Sequence, residues 1–383
     1  MTVPHTNDTA NPVHDVGLVL AGGGARAAYQ VGVLSALAEM APAGVNPFPI
    51  LTGVSAGSIN AAFLASHAVQ FRRGVEQLRS FWLQMQTEDV YATDPATIGL
   101  SVLRWLFALT FGGLHHANPR SLLNIAPLRR ELDRKIDFEA IQRAIGAGAV
   151  DALGVTASSY HTTTAVTFYQ ARHPVQPWQR SRRIGVASSI GVQHLLGSAA
   201  LPVIFPAERI GNEYYGDGSL RMTAPLSPAI RLGAQRLLVI GMRNIQEETP
   251  NSHPPPYPSL GELGGYLLDM LFVDNLHSDL ERLQRINTTV SLLSPEQLQK
   301  THLRNIEVMA IHPSRNILDI ACRHIKHMPW TIRTMLHGLG KSDSSWRIPS
   351  YLLFEPAYAA ELIELGYTDA MAVQEKARSF LGL

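Results

Sequence analysis

Apolar residues first gather in Val16–Leu20, and the run stops at Ala21-Gly22-Gly23-Gly24. A short apolar run halted by glycine predicts a buried parallel strand. From Arg26 to Glu39 apolar residues return at helical spacing (Val31, Leu34, Leu37), which predicts a helix. Pro47–Val54 predicts a second buried strand, and the alanine-rich segment Ser58–Val69 a closely packed second helix. This β-α-β-α start implies a parallel sheet covered by helices. Further helices are expected over Phe71–Gln86, Ile98–Leu114, Pro127–Lys135, Phe138–Ile145, Gly191–Ala200 and Pro225–Leu232. Strands are expected over Asp151–Ser158, Ala165–Gln170 and Arg236–Met242, with a hairpin turning at Gly211-Asn212. Residues 246–259 carry Pro250, Pro254, Pro255, Pro256 and Pro258 and cannot hold a helix. Beyond them Leu260–Ile286, Tyr358–Leu365 and Thr368–Phe380 read as helices and Ile306–Ile311 as a strand. The chain thus divides into a tail (1–15), a main domain (16–245), a proline-rich linker (246–259) and a mostly helical extension (260–383).

Composition narrows the classes. Of 383 residues, 46% are hydrophobic and only 16% charged, which excludes disorder over most of the length. Lys+Arg 32 against Asp+Glu 31 leaves a net charge of +1 and no basic stripe, so no nucleic-acid partner is expected. A single cysteine, Cys322, excludes an intramolecular disulfide framework and a Cys-rich zinc module. The polar N-terminal residues lack a basic and then apolar signal pattern, so a cytoplasmic location is expected. Ile98–Leu114 is short for a membrane span and carries Arg104. It reads as a buried or half-buried helix, the other reading being an interfacial helix near a lipid-binding mouth. No metal site is expected. His115 and His116 are adjacent and point apart, and His324 and His327 with Cys322 nearby read best as a solvated face. Gly338–Ser342 lacks the first glycine of a phosphate loop, since position 335 is Met335.

Two motifs carry chemistry. Gly53-Val54-Ser55-Ala56-Gly57 stands where an apolar strand runs into a helix, the setting that exposes a serine hydroxyl on a sharp turn. Small residues leave room for the close helix–strand approach, and the helix N-terminus favours negative charge beside the serine. Gly22-Gly23-Gly24-Ala25-Arg26 links the first strand to the first helix. As a dinucleotide fingerprint it lacks the acidic partner, because no Asp or Glu lies between Glu39 and Glu76. As a phosphate loop it lacks the terminal Lys-Ser/Thr. As an oxyanion hole it needs only backbone donors. Arg26 then either stands near the anionic centre or is a solvated first-turn side chain. A nucleophilic serine needs a base. His253 and His312 have no distinctive setting, whereas Asp217 lies between Gly216 and Gly218 just after a hairpin strand, where it is either a base on a tight loop or a bare turn aspartate.

GLVLAGGGARAAYQVGVL from Gly17, then GVSAG, SAALPVIFP and YYGDGS together resemble the bacterial patatin-like phospholipases over roughly Val16 to Met242. The resemblance implies a three-layer α/β/α fold with a mainly parallel sheet and a Ser–Asp dyad that cleaves acyl esters of lipids. It implies Ser55 as nucleophile, Asp217 as base, Gly53 and Gly57 as the elbow, and Gly22, Gly23, Gly24 and Arg26 as the oxyanion loop. Gly218 and Ser219 follow the base. Ala27 and Ser219 depart from the family's usual residues, but both are small. The expected function is hydrolysis of phospholipids or lysophospholipids through an acyl-serine intermediate, without cofactor, at the periphery of membranes or lipid aggregates. The competing readings are a carboxylesterase with a Ser-His-Asp triad and a non-catalytic lipid-binding or regulatory protein.

Overall fold

The computed structural model describes residues 15–111, 120–176, 178–244, 257, 259–301, 303–337 and 347–383. Its strands are β1 (Val16–Leu20), β2 (Ile50–Val54), β3 (Ala152–Ser159), β4 (Ala165–Ala171), β5 (Gln179–Arg180), β6 (Arg183–Ala187), β7 (Glu208–Ile210), β8 (Glu213–Asp217), β9 (Arg236–Ile240) and β10 (Glu307–Ile311). They form one sheet in the order β10-β9-β1-β2-β3-β4-β6-β5, with β8 on β3 and β7 on β8. The five strands from β10 to β3 are parallel. β1, β2 and β3 are buried at every residue, as strands covered by helices on both faces must be. The architecture is a three-layer α/β/α fold with a helical C-terminal part.

One feature of the topology positions the site. β3 pairs antiparallel with β4 from Ala152 to Ser158, which occupies one of its edges. The other edge is shared in succession. β2 pairs parallel with its first part and ends at Val54 opposite Thr156. β8 pairs antiparallel with its last part and ends at Asp217 opposite Ala157. The ends of β2 and β8 therefore meet head-on across consecutive residues of β3.

Helices α1 (Ala28–Met40), α2 (Ala56–Ser66) and α3 (Phe71–Gln84) form where the apolar spacing predicts, the first two starting two residues from the expected Arg26 and Ser58. The segment expected to be helical from Ile98 forms a helix over Pro95–Phe111, with Ile98 buried and Leu100, Leu103 and Phe107 exposed. Residues 112–114 lie outside the described residues. No helix among the described residues is long and apolar enough to cross a membrane. β5 and β6 were not expected; they form a short edge hairpin of two and five residues.

Two expectations for residues 260–383 are corrected. Leu260–Ile286 is not one regular helix: Leu260–Asp269 and Asn275–Ser291 are joined by a π-helical turn, Met270–Asp274. The break expected near Gly366 is absent, and one helix runs through it from Pro356 to Ala372. Gly366 lies where this helix crosses α1. A Cβ there would collide with the carbonyl of Tyr29, and one on Gly32 would collide with the carbonyl of Ile363. The two glycines let the backbones touch, and Tyr29 Oη donates to Asp369 Oδ2 at 3.0 Å to fix the crossing. β10 adds to the main sheet beside β9. The linker 246–259, apart from Tyr257 and Ser259, and the tail 1–14 lie outside the described residues.

Gly32→Ala should lower stability by about 1–3 kcal/mol, because the new methyl meets an immovable carbonyl. Gly99→Ala, in a helix where a Cβ meets nothing within 4 Å, should raise it by about 0.5–1 kcal/mol. Urea unfolding of the two variants beside the unaltered protein reads both signs.

Candidate active site

Ser55 ends the β2 run and precedes α2, with φ 53° and ψ −131°. A non-glycine residue held at positive φ stores roughly 1–3 kcal/mol of strain and needs a surrounding that over-determines it. That surrounding is visible. A Cβ on Gly53 would strike the carbonyl of Gly57, and one on Gly57 would strike the carbonyl of Leu20, so the turn folds this tightly only with glycine at both places. Ser58 Oγ donates to the Ser55 carbonyl at 2.6 Å. The Ser55 N–H donates to Ser198 Oγ at 2.9 Å, and the Ser198 hydroxyl donates to the Thr156 carbonyl at 2.6 Å.

Asp217 is fully buried at the end of β8. Its Oδ1 accepts from the Ser219 N–H at 2.9 Å, and its own N–H donates to the Ala200 carbonyl at 2.8 Å. Oδ2 is buried and has no hydrogen-bond partner among the described residues. Burial pushes the carboxyl up to about 6, against the Ser55 hydroxyl and the Ser219 amide and side chain, which favour the charged form. Ser55 is thus the neighbouring side chain that faces the carboxylate, while Oδ2 still lacks a bond of ordinary geometry. Gly218 fits where it does because a Cβ would collide with the Thr156 carbonyl. Ser219 comes beside the glycine loop, its Oγ 2.9 Å from where a Cβ on Gly22 would lie.

The glycine loop is held from two sides. Gln30 Nε2 donates to the Ala21 carbonyl at 2.8 Å, Asn60 Nδ2 donates to Gln30 Oε1 at 2.9 Å, and Trp82 Nε1 donates to Asn60 Oδ1 at 2.8 Å. This buried network ties α1, α2 and α3 to the end of β1. Gly24, at φ 54°, is pressed against the carbonyl of Tyr351. Neither Gly22 nor Gly23 N–H donates a hydrogen bond to another described residue, so two main-chain donors remain free at the head of the loop.

Arg26 is neither solvated nor directed at an anionic centre, which corrects both readings of it. Its side chain is buried; Nη2 donates to Ser350 Oγ at 2.6 Å and Nη1 to Tyr351 Oη at 3.0 Å. It pairs with Asp269 at 3.2 Å and lies over the Tyr351 ring, 3.7 Å from its centroid. Its backbone N–H is engaged with the Gly23 carbonyl at 3.1 Å. Arg26 therefore fastens the loop to residues 269 and 350–351.

The histidines stand elsewhere. His312 follows β10, three strand spacings or roughly 14 Å from β2. Burial and the stacked His277 push it down to about 4, so it is neutral near pH 7. His324 binds Glu361 at 2.8 Å and lies 5.7 Å from the His327 ring. His253, His115, His116 and the Gly338–Ser342 segment lie outside the described residues.

Sequence reasoning missed Ser198, Gln30 and Asn60. Ser198 was visible within SAALPVIFP, but nothing local shows that its hydroxyl reaches a residue 143 positions earlier. Two residues on, Ala200 holds the Asp217 amide, so one short turn grips the backbones of both Ser55 and Asp217.

The model of the family described as patatin-like phospholipase matches residues 18–230, a span that contains the glycine loop, Ser55 and Asp217. A comparison with curated protein sequences gives no match. Among solved structures, VipD from Legionella pneumophila is similar at 13% identity and a TM-score of 0.35, covering 95% of this chain and 67% of its own. Human GIVD cytosolic phospholipase A2 is similar at 10% identity and a TM-score of 0.45, covering 97% of this chain and 61% of its own.

Ser198→Ala should lower stability by about 1–3 kcal/mol, the cost of leaving the buried Ser55 N–H without an acceptor. Chemical unfolding monitored by circular dichroism tests it, and an unchanged midpoint and slope would refute the gripping role.

Proposed function

Because the chain belongs to the patatin-like phospholipase family, we propose that it hydrolyses acyl esters of phospholipids or lysophospholipids with Ser55 and Asp217 as a dyad. The observation that carries this reading is the fully buried Asp217 oxygen that has no hydrogen-bond partner among the described residues, next to a serine held at positive φ. A buried acceptor left unmade is costly, and a proton arriving from the serine satisfies it.

In the first half-reaction Ser55 Oγ attacks the ester carbonyl carbon and passes its proton to Asp217. The carbonyl oxygen becomes the oxyanion and accepts from the Gly22 and Gly23 amides, which are fixed before the reaction and need no reorganisation. The tetrahedral adduct collapses, the C–O bond to the alcohol breaks, and Asp217 returns the proton to the departing alkoxide. In the second half-reaction a water gives its proton to Asp217 and attacks the acyl-serine, and the fatty acid leaves as the proton passes to Ser55 Oγ. A carboxylate lifted to about 6 is a better proton acceptor than an exposed one yet still ionised at pH 7. The distance of His312 from β2 weighs against that residue as the base of a Ser-His-Asp triad, and a pKa pushed down to about 4 makes it a weak proton acceptor. The enzyme meets lipid aggregates at their surface, and the exposed Leu100, Leu103 and Phe107 on one helix support that mode of contact.

Ser55→Ala should cut turnover of mixed phospholipid vesicles by about 10⁴-fold or more, read by mass spectrometry of released fatty acids. The unaltered protein should take a fluorophosphonate on Ser55; an unlabelled, folded protein would sink the hydrolase reading. Since the active form of Asp217 is the carboxylate, kcat/KM should climb about tenfold per pH unit below its pKa of about 6 and level off above it. A rising limb centred near pH 7 or higher would point to another base.

A further inference from the structure

We propose that a cluster of arginines, Arg180, Arg183, Arg231, Arg282 and Arg304, docks the protein on bilayers that contain anionic phospholipid and so holds the Ser55 site at its substrate. This docking mode rests on the hydrolase reading above and names the kind of surface on which that reaction takes place.

The arginines come from separate stretches of chain, which is why no basic stripe shows in the sequence. Arg180 and Arg183 stand opposite each other in the β5–β6 hairpin. Arg231 ends the short helix Ser227–Arg231. Arg304 Nη2 reaches the same helix end and donates to the carbonyls of Ile230 at 2.8 Å and Ala234 at 3.1 Å. Arg282 pairs with Asp279 at 3.3 Å, and Asp279 accepts from the Leu226 N–H at 3.0 Å, just before that helix. The electrostatics tie the hairpin to the rest. Partial burial pushes the Arg183 guanidinium down, Asp279 holds it up, and Arg282, Arg231 and Arg180 push it down again. Burial also pushes Arg304 down, and so does Arg231. The cations thus crowd around Asp279, a buried carboxylate with one oxygen already engaged by the Leu226 amide. Arg180 and Arg231 are exposed, and among the described residues neither forms an ion pair.

The chemistry of the cluster selects its partner. Like charges held this close repel one another unless an anion lies over them. Every member is an arginine, and the planar guanidinium fork matches phosphate oxygens two at a time. The chain as a whole carries only +1, so the attraction belongs to this face and not to the whole molecule. The place fits the site. By register Arg183 lies opposite Ala165 on β4, Ala165 opposite Ser158 on β3, and Asp217 opposite Ala157 on the other edge of β3. Three strand spacings, roughly 14 Å, therefore separate the backbone of Arg183 from that of Asp217. The helix Asn275–Ser291 makes a second link, since it carries Arg282 and Phe272 just before it lies against Gly22 of the glycine loop. An anionic phospholipid bilayer brings phosphate and substrate to this place together, whereas a nucleic acid or an acidic protein would bring only the charge.

Each arginine near an anionic bilayer should strengthen partitioning about fivefold. The test is cosedimentation of the full-length Ser55→Ala protein with vesicles of phosphatidylcholine alone and of an equimolar mixture with phosphatidylglycerol. The mixture should bind about tenfold tighter or more, and molar salt should abolish the difference. Arg180→Gln combined with Arg231→Gln should weaken binding to the mixture about 25-fold and leave binding to phosphatidylcholine alone as it was. Arg282 and Arg304 are left in place because they also hold Asp279 and the carbonyls of Ile230 and Ala234. Should the double variant not fold, the single changes decide, each with a loss of about fivefold. In the enzyme with Ser55 intact, the same pair of changes should lower turnover of mixed vesicles relative to turnover of p-nitrophenyl butyrate. Equal affinity for the two kinds of vesicle, or undiminished affinity in the folded variants, would overturn the assignment. Binding of a duplex oligonucleotide at these arginines without vesicle binding would overturn it in favour of a nucleic-acid partner. Because Ser55→Ala binds without turnover, failure of the unaltered enzyme to cleave any ester counts against the hydrolase reading, whereas indifference to phosphatidylglycerol counts against the arginine surface.

Discussion

The edge of β3 has room for one neighbour at a time, and in this molecule it takes two in turn. β2 uses its first five residues and stops; β8 arrives from the opposite direction and uses its last three. Because backbone pairing is spaced by the strand rise, the last residues of the two visiting strands cannot be farther apart than about one step along β3. A hydroxyl and a carboxylate separated by 162 positions in the chain are brought together by sheet register, before any side chain makes a contact. The serine turn, the Asp217 loop and the free amides of Gly22 and Gly23 are elaborations at the end of that shared edge.

The arrangement carries local costs that the surroundings offset. Ser55 sits at a backbone angle that a side chain disfavours, and Asp217 is taken wholly out of water with one oxygen unmatched. Stability alone would select against both. They persist because the segment Ser198–Ala200 holds both backbones at once, and because the Gln30–Asn60–Trp82 chain of hydrogen bonds leaves the adjoining loop no alternative position. Fully satisfied buried polar networks of this kind rigidify the groups around them. Among the described residues Asp217 Oδ2 is one of four buried side-chain atoms left without a hydrogen-bond partner, and the one that stands beside Ser55.

Most of the central layer was legible in the sequence, because short apolar runs ended by glycine are local signals that survive in the folded state. Ser55 and Asp217 were legible for the same reason, each being framed by glycines in a distinctive context. What escaped depends on long-range partners. Arg26 reads from the sequence as either near the anionic centre or solvated, and its bracing role escaped because its partners lie 243 to 325 residues away. Gly366 looked like a helix end because propensity cannot reveal that another backbone crosses there. The π-helical turn has no periodicity of its own, and β5 and β6, two and five residues long, are too short to stand out from a loop. The residues that frame the site from the C-terminal part, Phe272, Ser350 and Tyr351, are ordinary in sequence and acquire meaning only by docking.

The buried pairing of Arg26 with Ser350 has a consequence for biosynthesis. The two residues are 324 positions apart. At translation rates of about 5–20 residues per second, the glycine loop waits tens of seconds on the ribosome for the strut that braces it. Until then the guanidinium lacks Asp269, Ser350 and Tyr351, the groups that pair with it and cover it. A nascent chain that already displays its serine turn thus still lacks the brace that fixes the neighbouring glycine loop.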